Sequence, residues 1–296
     1  MIRITTFLTL SLLFTACATT SSRTTETPSE KPAEQPPVAT ATTDAAPPVE
    51  SANFVFADIP FKPFNPKKPD GVHVFPFLGS PRAGAFSAII RMPPGLSLPL
   101  HAHKSGFSGV VLSDGFVHAA SKDKSKVLTK GSTFYQPGGE PHIDACQGDE
   151  PCYFLAFFDE AIDMTPSETP AADPKLTINF AENMKWMEVK GGVKMSVIHG
   201  NPKKGAFVAL IDFPAGMTTN VHTHSAAFSG ALISGAHQRG SSADALVTLT
   251  PGSVWRETPN APHMEKCGTE SRCVIAAFMN GPLDTKDVEI TPASTE

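Results

Sequence analysis

Several patterns are scarce in this chain of 296 residues, and each scarcity argues against a class of protein. Lys and Arg number 24 against 29 Asp and Glu, giving a net charge of −5. Without a basic cluster this charge argues against a nucleic-acid partner, because phosphate binding needs clustered cations. No long helical periodicity is found, and 28 Pro and 22 Gly indicate many turns, so we expect an all-β fold.

The main apolar run at the N-terminus, Ile4 to Phe14, is too short to span a bilayer and predicts a signal peptide over residues 1–16. The run ends in Phe14-Thr15-Ala16-Cys17, which resembles the lipobox of bacterial lipoproteins, where cleavage precedes an acylated cysteine. Ala18 resembles residues that permit sorting to an outer membrane. The sequence thus predicts a protein of the cell envelope that is anchored to a membrane by lipid on Cys17. An ordinary signal peptide with an incidental cysteine is the alternative.

Residues 17–52 form the predicted tether, which begins at the acylated cysteine. Thr, Ser, Pro, Ala and Glu dominate its composition, and residues 18–52 contain no aromatic residue, Ile or Leu. Such a segment cannot bury enough apolar surface to offset the entropy lost on ordering. We therefore expect it to be disordered and to hold the folded part away from the membrane.

An internal repeat with a constant offset of 121 positions (222 − 101) indicates a duplicated domain. The boundaries predicted from it are a first domain at 53–164, a connector at 165–174 and a second domain at 175–290. The matching segments are Gly84-Ala85-Phe86 with Gly205-Ala206-Phe207, His101-Ala102-His103 with His222-Thr223-His224, Phe107-Ser108-Gly109 with Phe228-Ser229-Gly230, and Pro141-His142 with Pro262-His263.

The cysteines follow the same offset. Cys146 and Cys152 correspond to Cys267 and Cys273, and Cys17 is assigned to lipid. Because an exported protein meets an oxidising compartment, we expect the intradomain disulfides Cys146–Cys152 and Cys267–Cys273. A zinc site and free core thiols are the rival interpretations, and the absence of CxxC spacing disfavours zinc.

Histidines at alternate positions are the main candidates for chemistry. In an extended strand His101 and His103 share a face, and His142 follows on a later strand. Ordinary barrel histidines are the alternative, but six of the ten histidines form matched pairs across the repeat. The sequence therefore predicts one metal pocket in each half, with the ligands His101, His103 and His142, and His222, His224 and His263.

These segments resemble the two signature motifs of the cupin superfamily over about residues 54–288. The motifs stand at Gly95–Gly115 and Gly131–His142, and again at Gly216–His224 and Gly252–His263. The resemblance implies two tandem jelly-roll-like β-barrels with a divalent metal inside each barrel mouth. The matched CX5C pairs are similar to those of an uncharacterised bacterial two-cupin family.

The cupin glutamate ligand is replaced, at five residues after the second histidine, by Ser108 and Ser229. Three neutral imidazoles without a carboxylate resemble the three-histidine cupins, which include iron-dependent dioxygenases of thiols or diketones. Iron or zinc is the expected metal. Ser108, Ser229 and Glu140 are candidates to lie beside the ligands, although Glu140 is more simply interpreted as a loop carboxylate.

Three functions stay open at this point. The first is a metal-dependent enzyme acting on a small anionic molecule; the second is a non-catalytic module that binds or senses a metal or small ligand at the cell envelope. The third is a scaffold whose sites have decayed. The sequence identifies neither the small-molecule ligand nor whether the chain forms a homodimer.

Replacing Cys17 by Ser tests the lipid anchor. We expect the variant to be released from membranes or left unprocessed, because several acyl chains are needed for durable anchoring at about 0.8 kcal/mol per buried methylene. Membrane fractionation followed by mass determination of the mature N-terminus measures the effect. Equal membrane fractions for the variant and the wild type would refute the anchor.

Overall fold

The computed structural model describes residues 50–288, and the predicted signal peptide, Cys17 and nearly all of the tether lie outside them. Regular structure is almost entirely β. Within this range no helix is long and apolar enough to cross a membrane. The helices are 3-10 turns at Phe56–Asp58, Lys122–Lys124, Ala181–Asn183, Lys190–Gly192 and Ala243–Ala245.

The strands fall into two successive sets. The first set is β1 (Ala52–Phe54), β2 (Lys62–Pro63), β3 (His73–Gly79), β4 (Phe86–Met92), β5 (His101–Ala102), β6 (Phe107–Val111), β7 (Phe116–Ala119), β8 (Val127–Leu128), β9 (Thr133–Gln136), β10 (Ile143–Cys146), β11 (Cys152–Phe158) and β12 (Thr165–Pro166). The second set is β13 (Thr177–Asn179), β14 (Met187–Glu188), β15 (Lys194–Gly200), β16 (Phe207–Phe213), β17 (His222–Thr223), β18 (Phe228–Ser234), β19 (His237–Gly240), β20 (Val247–Leu249), β21 (Val254–Glu257), β22 (Met264–Cys267), β23 (Cys273–Met279) and β24 (Lys286–Asp287).

Each half builds the same group of three antiparallel sheets. In the first barrel a seven-stranded sheet (β13-β9-β6-β11-β4-β3-β2) is joined by a three-stranded sheet (β10-β7-β8) and the pair β12-β5. In the second barrel the corresponding sheets are β1-β21-β18-β23-β16-β15-β14, β20-β19-β22 and β17-β24. The predicted all-β class with two tandem barrels is confirmed.

The two large sheets exchange an edge strand. β1 pairs with β21 of the second barrel, with Asn53 opposite Trp255, while β13 pairs with β9 of the first barrel, with Ile178 opposite Phe134. Each barrel thus takes an edge strand from the segment that precedes the other barrel. The predicted domain limits, 53–164 and 175–290, did not anticipate this exchange.

A buried apolar layer joins the barrels. Phe77, Leu155 and Phe157 of the first half pack in one cluster with side chains of the second half, among them Leu210. The rings of Phe157 and Phe278 stack with centroids 5.6 Å apart. Because this surface is continuous and apolar, its burial holds the two barrels together.

Glycines inside the barrels make room for large aromatic rings. A Cβ on Gly109 would lie 2.0 Å from the Phe134 ring, and one on Gly230 would lie 2.4 Å from the Trp255 ring. Packing against these rings therefore explains why the repeated Phe-Ser-Gly segment has glycine at its third position.

Both predicted disulfides are confirmed. Cys146 is bonded to Cys152 with Cα atoms 5.5 Å apart, and Cys267 to Cys273 with Cα atoms 5.7 Å apart. In the first barrel the bond joins β10 of the small sheet to β11 of the large sheet. It therefore fixes the two sheets against each other at the end of the strand that follows His142.

Removing the first disulfide should lower the stability of the protein. For Cys146→Ser/Cys152→Ser we expect a loss of about 2 kcal/mol in the free energy of unfolding, because the closed loop is short. Denaturant unfolding of the variant measures this loss, and Cys17→Ser is the matched control that keeps both disulfides. A double variant as stable as the control would contradict a stabilising role.

Candidate metal centres

Short backbone contacts bring each histidine triad together. His101 on β5 and His142 just before β10 exchange two backbone hydrogen bonds, of 3.0 and 2.8 Å, and His103 follows two residues after His101. His222 and His263 do the same in the second barrel. In each triad one ring nitrogen from every histidine lies within 4.8 Å of the others, so the predicted ligands are gathered in two places.

Backbone carbonyls fix the rings of the first triad. Nδ1 of His101 donates to the carbonyl oxygen of Pro99 (2.8 Å), and Nδ1 of His142 faces that of Glu140 (3.4 Å). Nδ1 of His103 donates to the carbonyl of Asp163. Since a carbonyl oxygen only accepts, the proton is on Nδ1 and the Nε2 lone pair is free for a metal.

The second triad is held in the same way. His222 Nδ1 donates to Asn220 O (2.8 Å), His263 Nδ1 to Ala261 O (3.1 Å) and His224 Nδ1 to Asp284 O. Within residues 50–288, the Nε2 atoms of His101, His142 and His263 are buried without a hydrogen-bond partner. Buried nitrogens without partners are costly, and a bound cation would satisfy them.

Burial favours the neutral form of four of the six histidines. It lowers the pKa of His142 and of His263 to about 3, and it also lowers the pKa of His103 and His224. Neutral imidazole is the form that ligates a metal. The residues present therefore fit a divalent cation in each barrel.

The serines predicted beside the ligands lie elsewhere. The Ser229 hydroxyl is 2.8 Å from that of Ser87, in a buried hydrogen bond between the barrels. Ser108 also points away from the triad, because side chains alternate along β6 and the neighbouring Phe107 ring lies 5.4 Å from the His103 ring. The position that faces the histidines is thus Phe107, one residue earlier than predicted, and Phe228 in the repeat.

Glu140 contributes through its backbone and not through its carboxylate. Its carbonyl oxygen faces His142 Nδ1, whereas its Oε2 accepts a hydrogen bond from the backbone N–H of Lys175 (2.8 Å) at the surface. The interpretation of Glu140 as a loop carboxylate agrees with this position.

A carboxylate that the sequence analysis did not identify stands beside the first triad. Asp144 Oδ2 lies 3.6 Å from Nε2 of His101 and 3.7 Å from Nε2 of His142. Burial by itself would raise the pKa of Asp144, but the adjacent His118 ring and its hydrogen bond hold that pKa below its ordinary range. Asp144 is therefore an ionised group inside the barrel.

His118 and Gln136 hold Asp144 in place. His118 Nδ1 lies 2.7 Å from Asp144 Oδ1, and its Nε2 lies 3.2 Å from Gln136 Oε1. The amide nitrogen of Gln136 donates to the carbonyls of Pro137 and Glu140, which turns its oxygen toward His118. His118 therefore links Asp144 to Gln136 through its two ring nitrogens.

The second barrel places an arginine in the same location. Arg239 donates from Nε to Glu265 Oε1 (3.0 Å) and from Nη1 to Glu257 Oε1 (2.8 Å). Its guanidinium lies 4.8 Å from the centre of the Trp255 ring. Burial alone would raise the pKa of Glu265, but Arg239 and the nearby histidines lower it to about 2.

The repeat itself held the signal for these missed residues. At the offset of 121, His118 corresponds to Arg239, Gln136 to Glu257 and Asp144 to Glu265. Asp144 also stands two residues after His142, so a strand would place both on one face. Both halves place an acid two residues after a histidine ligand and a basic side chain opposite that acid. A search for identical residues overlooks this pattern.

A cavity of about 380 Å³ opens at the first triad. His101, His103 and Asp144 supply its polar wall, and exposed Phe64 and Met164 mark its outer end. The remaining wall is mostly apolar and includes Phe86, Ile90, Met92, Leu96, Leu98, Phe107, Phe154, Phe158 and Ile162. Such a pocket suits a small, mainly apolar ligand with one polar group.

Comparison with known proteins supports the fold and leaves the activity open. Residues 78–286 match the family described as a domain of unknown function, DUF4437. No curated protein matches the sequence.

Three solved structures are similar in fold. A protein from Nostoc punctiforme, provisionally described as a dioxygenase, aligns with a TM-score of 0.65 at 12% identity, over 82% of this chain and 88% of that one. Oxalate decarboxylase from Bacillus subtilis, described with Mn(II) centres, aligns with a TM-score of 0.51 at 16% identity, over 81% and 80%. A single-residue variant of salicylate 1,2-dioxygenase from Pseudoaminobacter salicylatoxidans aligns with a TM-score of 0.51 at 14% identity, over 68% and 72%. At these identities they show the two-cupin fold alone.

Replacing Arg239 by Met tests the buried network of the second barrel. We expect the free energy of unfolding to fall by about 3–5 kcal/mol, because Glu257 and Glu265 would stay buried without their cation. Denaturant unfolding measures the change.

The matched control is Arg239→Met/Glu257→Gln/Glu265→Gln, which removes the buried charges together and should regain at least half of the loss. An Arg239→Met protein within about 1 kcal/mol of the wild type, below the loss of about 3 kcal/mol expected for a broken buried pair, would show that the network contributes little.

Proposed function

The chain belongs to the DUF4437 family, and we propose that it is a metal-dependent cupin enzyme whose reaction takes place in the first barrel. The observation that carries the proposal is the shared orientation of the histidines. All six turn Nδ1 toward a backbone carbonyl. This arrangement leaves the Nε2 atoms of each triad to hold one divalent cation.

The first barrel is favoured for catalysis because His101 and His103 of its triad line a cavity that is open to a ligand. A metal held there would supply a Lewis acid or an oxygen-activating centre. The apolar wall would exclude water around the reacting group, and the carbonyl contacts would keep the imidazoles oriented. Iron is proposed on the analogy of three-histidine dioxygenases, with zinc or manganese as the alternatives.

The substrate proposed is a small molecule with an apolar body and one group that reaches the metal. The apolar wall, with Phe86, Phe154 and Phe158, supports the apolar body. The sequence favoured a small anionic substrate, but the carboxylate of Asp144, 3.6 Å from His101 Nε2, gives no support for a second negative charge beside the metal. Lys68 lines the cavity too and would accommodate a carboxylate on the substrate.

We also propose that the enzyme is held at the cell envelope by lipid on Cys17. The lipobox-like segment supports this placement. The two disulfides support an oxidising compartment, since such bonds persist there and are rare in the cytosol. The tether would then present the first-barrel cavity to small molecules outside the cytoplasm.

Metal analysis of purified variants tests the proposal. We expect two divalent metals per wild-type chain and one in either His101→Ala or His222→Ala, because each variant loses a ligand of one triad only. His73→Ala is the matched control, since His73 belongs to neither triad, and it should keep two metals. Elemental analysis after incubation with iron, zinc, manganese, nickel or copper gives the stoichiometry.

Oxygen uptake with small apolar acids, thiols and diketones then separates the functions. Turnover that is lost in His101→Ala and retained in His222→Ala supports the enzyme. Metal and ligand binding without turnover would favour the non-catalytic sensing module. A wild-type protein that stays free of every metal offered would overturn the proposal and favour a decayed scaffold.

A further inference from the structure

We infer that Asp144 is a fourth metal ligand, so that the two barrels hold chemically different centres: three histidines and a carboxylate in the first, three histidines in the second. The inference rests on the proposed metal binding and goes beyond it. The carboxylate ligand would come from β10, the strand that follows the third histidine. In the cupin motif the carboxylate ligand comes instead from the position that Ser108 occupies here.

The distances from Asp144 to two of the three histidines fit a shared cation, whereas His103 is grouped with those two histidines and not with Asp144. Its Oδ2 is 3.6 Å from His101 Nε2 and 3.7 Å from His142 Nε2, and neither nitrogen has a hydrogen-bond partner in the part of the chain that the structure describes. Two ligands of one tetrahedral ion, each about 2.1 Å from it, are about 3.4 Å apart. Asp144 Oδ2 therefore stands at ligand spacing from two members of the triad.

The other carboxylate oxygen is already occupied, which orients the free one. His118 Nδ1 donates to Asp144 Oδ1 at 2.7 Å, and Gln136 fixes the far side of the His118 ring. Ligating carboxylates are commonly held by such a hydrogen bond on the oxygen that does not face the metal. His118 thus acts as a positioning residue for Asp144.

The second barrel places its carboxylate differently. Arg239 binds Glu265 Oε1, and His237 is the histidine nearest to that carboxylate, with Nε2 4.0 Å from Oε1. Over residues 50–288, neither Glu265 oxygen lies within 4.0 Å of a nitrogen of His222, His224 or His263. The arginine therefore keeps the carboxylate out of the second metal centre.

The difference should appear as metal selectivity. Carboxylate oxygen suits Mn²⁺, whereas neutral imidazole alone suits zinc and nickel, and Mn²⁺ is the weakest binder in the divalent series. We expect the wild-type protein to bind two Zn²⁺ but only one Mn²⁺ tightly. The Mn²⁺ should be lost when the first triad is removed.

The test uses two proteins with one site each: His222→Ala/His224→Ala keeps the first centre, and His101→Ala/His103→Ala keeps the second. Electron paramagnetic resonance of free Mn²⁺ gives the affinity. In the protein that keeps the first centre, Asp144→Asn should weaken Mn²⁺ binding at least about tenfold. Asp144→Glu, which retains a carboxylate, should recover part of the loss.

Infrared difference spectra on metal addition provide a readout that does not depend on the Asp144 variants folding. A shifted carboxylate band is expected for the protein that keeps the first centre and not for the one that keeps the second. Equal bands in both proteins, or unchanged Mn²⁺ affinity in Asp144→Asn, would overturn the inference while leaving metal binding intact. Failure of both proteins to bind any metal would overturn the proposed function as well.

Discussion

The hydrogen bond from a histidine Nδ1 to a backbone carbonyl is the contact on which both candidate centres depend. It is repeated at all six histidines, with carbonyls that belong to the turns before β5 and β10, to the equivalent turns of the second barrel, and to the loops after β11 and β23. Because the acceptors are main-chain atoms, their positions follow from strand pairing. The barrel therefore prepares the ligands without needing additional polar side chains inside an apolar core.

Behind each triad the two barrels place buried polar groups at equivalent positions, but they use different residues there. Each barrel places a basic side chain, a carboxylate and a further oxygen acceptor at equivalent positions, as His118, Asp144 and Gln136 or as Arg239, Glu265 and Glu257. In the first barrel the carboxylate faces both His118 and the triad. In the second the guanidinium, stacked near Trp255, binds the carboxylate on its own side. One scaffold thus supports a cavity beside an ionised acid in one half and a buried arginine paired with two glutamates in the other.

The repeat, the alternation of strand residues and the resemblance to the cupin motifs are together sufficient to predict the barrels, both disulfides and the grouping of the six histidines. They are not sufficient for the residues around them. The cupin glutamate position maps to Ser108, but β6 turns Phe107 inward, and a shift of one residue exchanges the two faces of a strand. Asp144 escapes prediction because its partner in the repeat is Glu265, and His118 escapes because its partner is an arginine. A comparison that counts only identical residues does not detect two side chains of similar chemistry and different shape at equivalent positions of the repeat.

The exchange of edge strands has a consequence for the order in which the molecule assembles. β1 is made before nearly all other described residues, yet Asn53 pairs with Trp255 near the far end of the chain. Contacts between distant positions are slow to form, because the entropy of closing a long loop must be overcome first. Among the strands described, β1 is synthesised first and is therefore expected to be among the last to find its partner. The edge of β21 stays uncovered until β1 pairs with it.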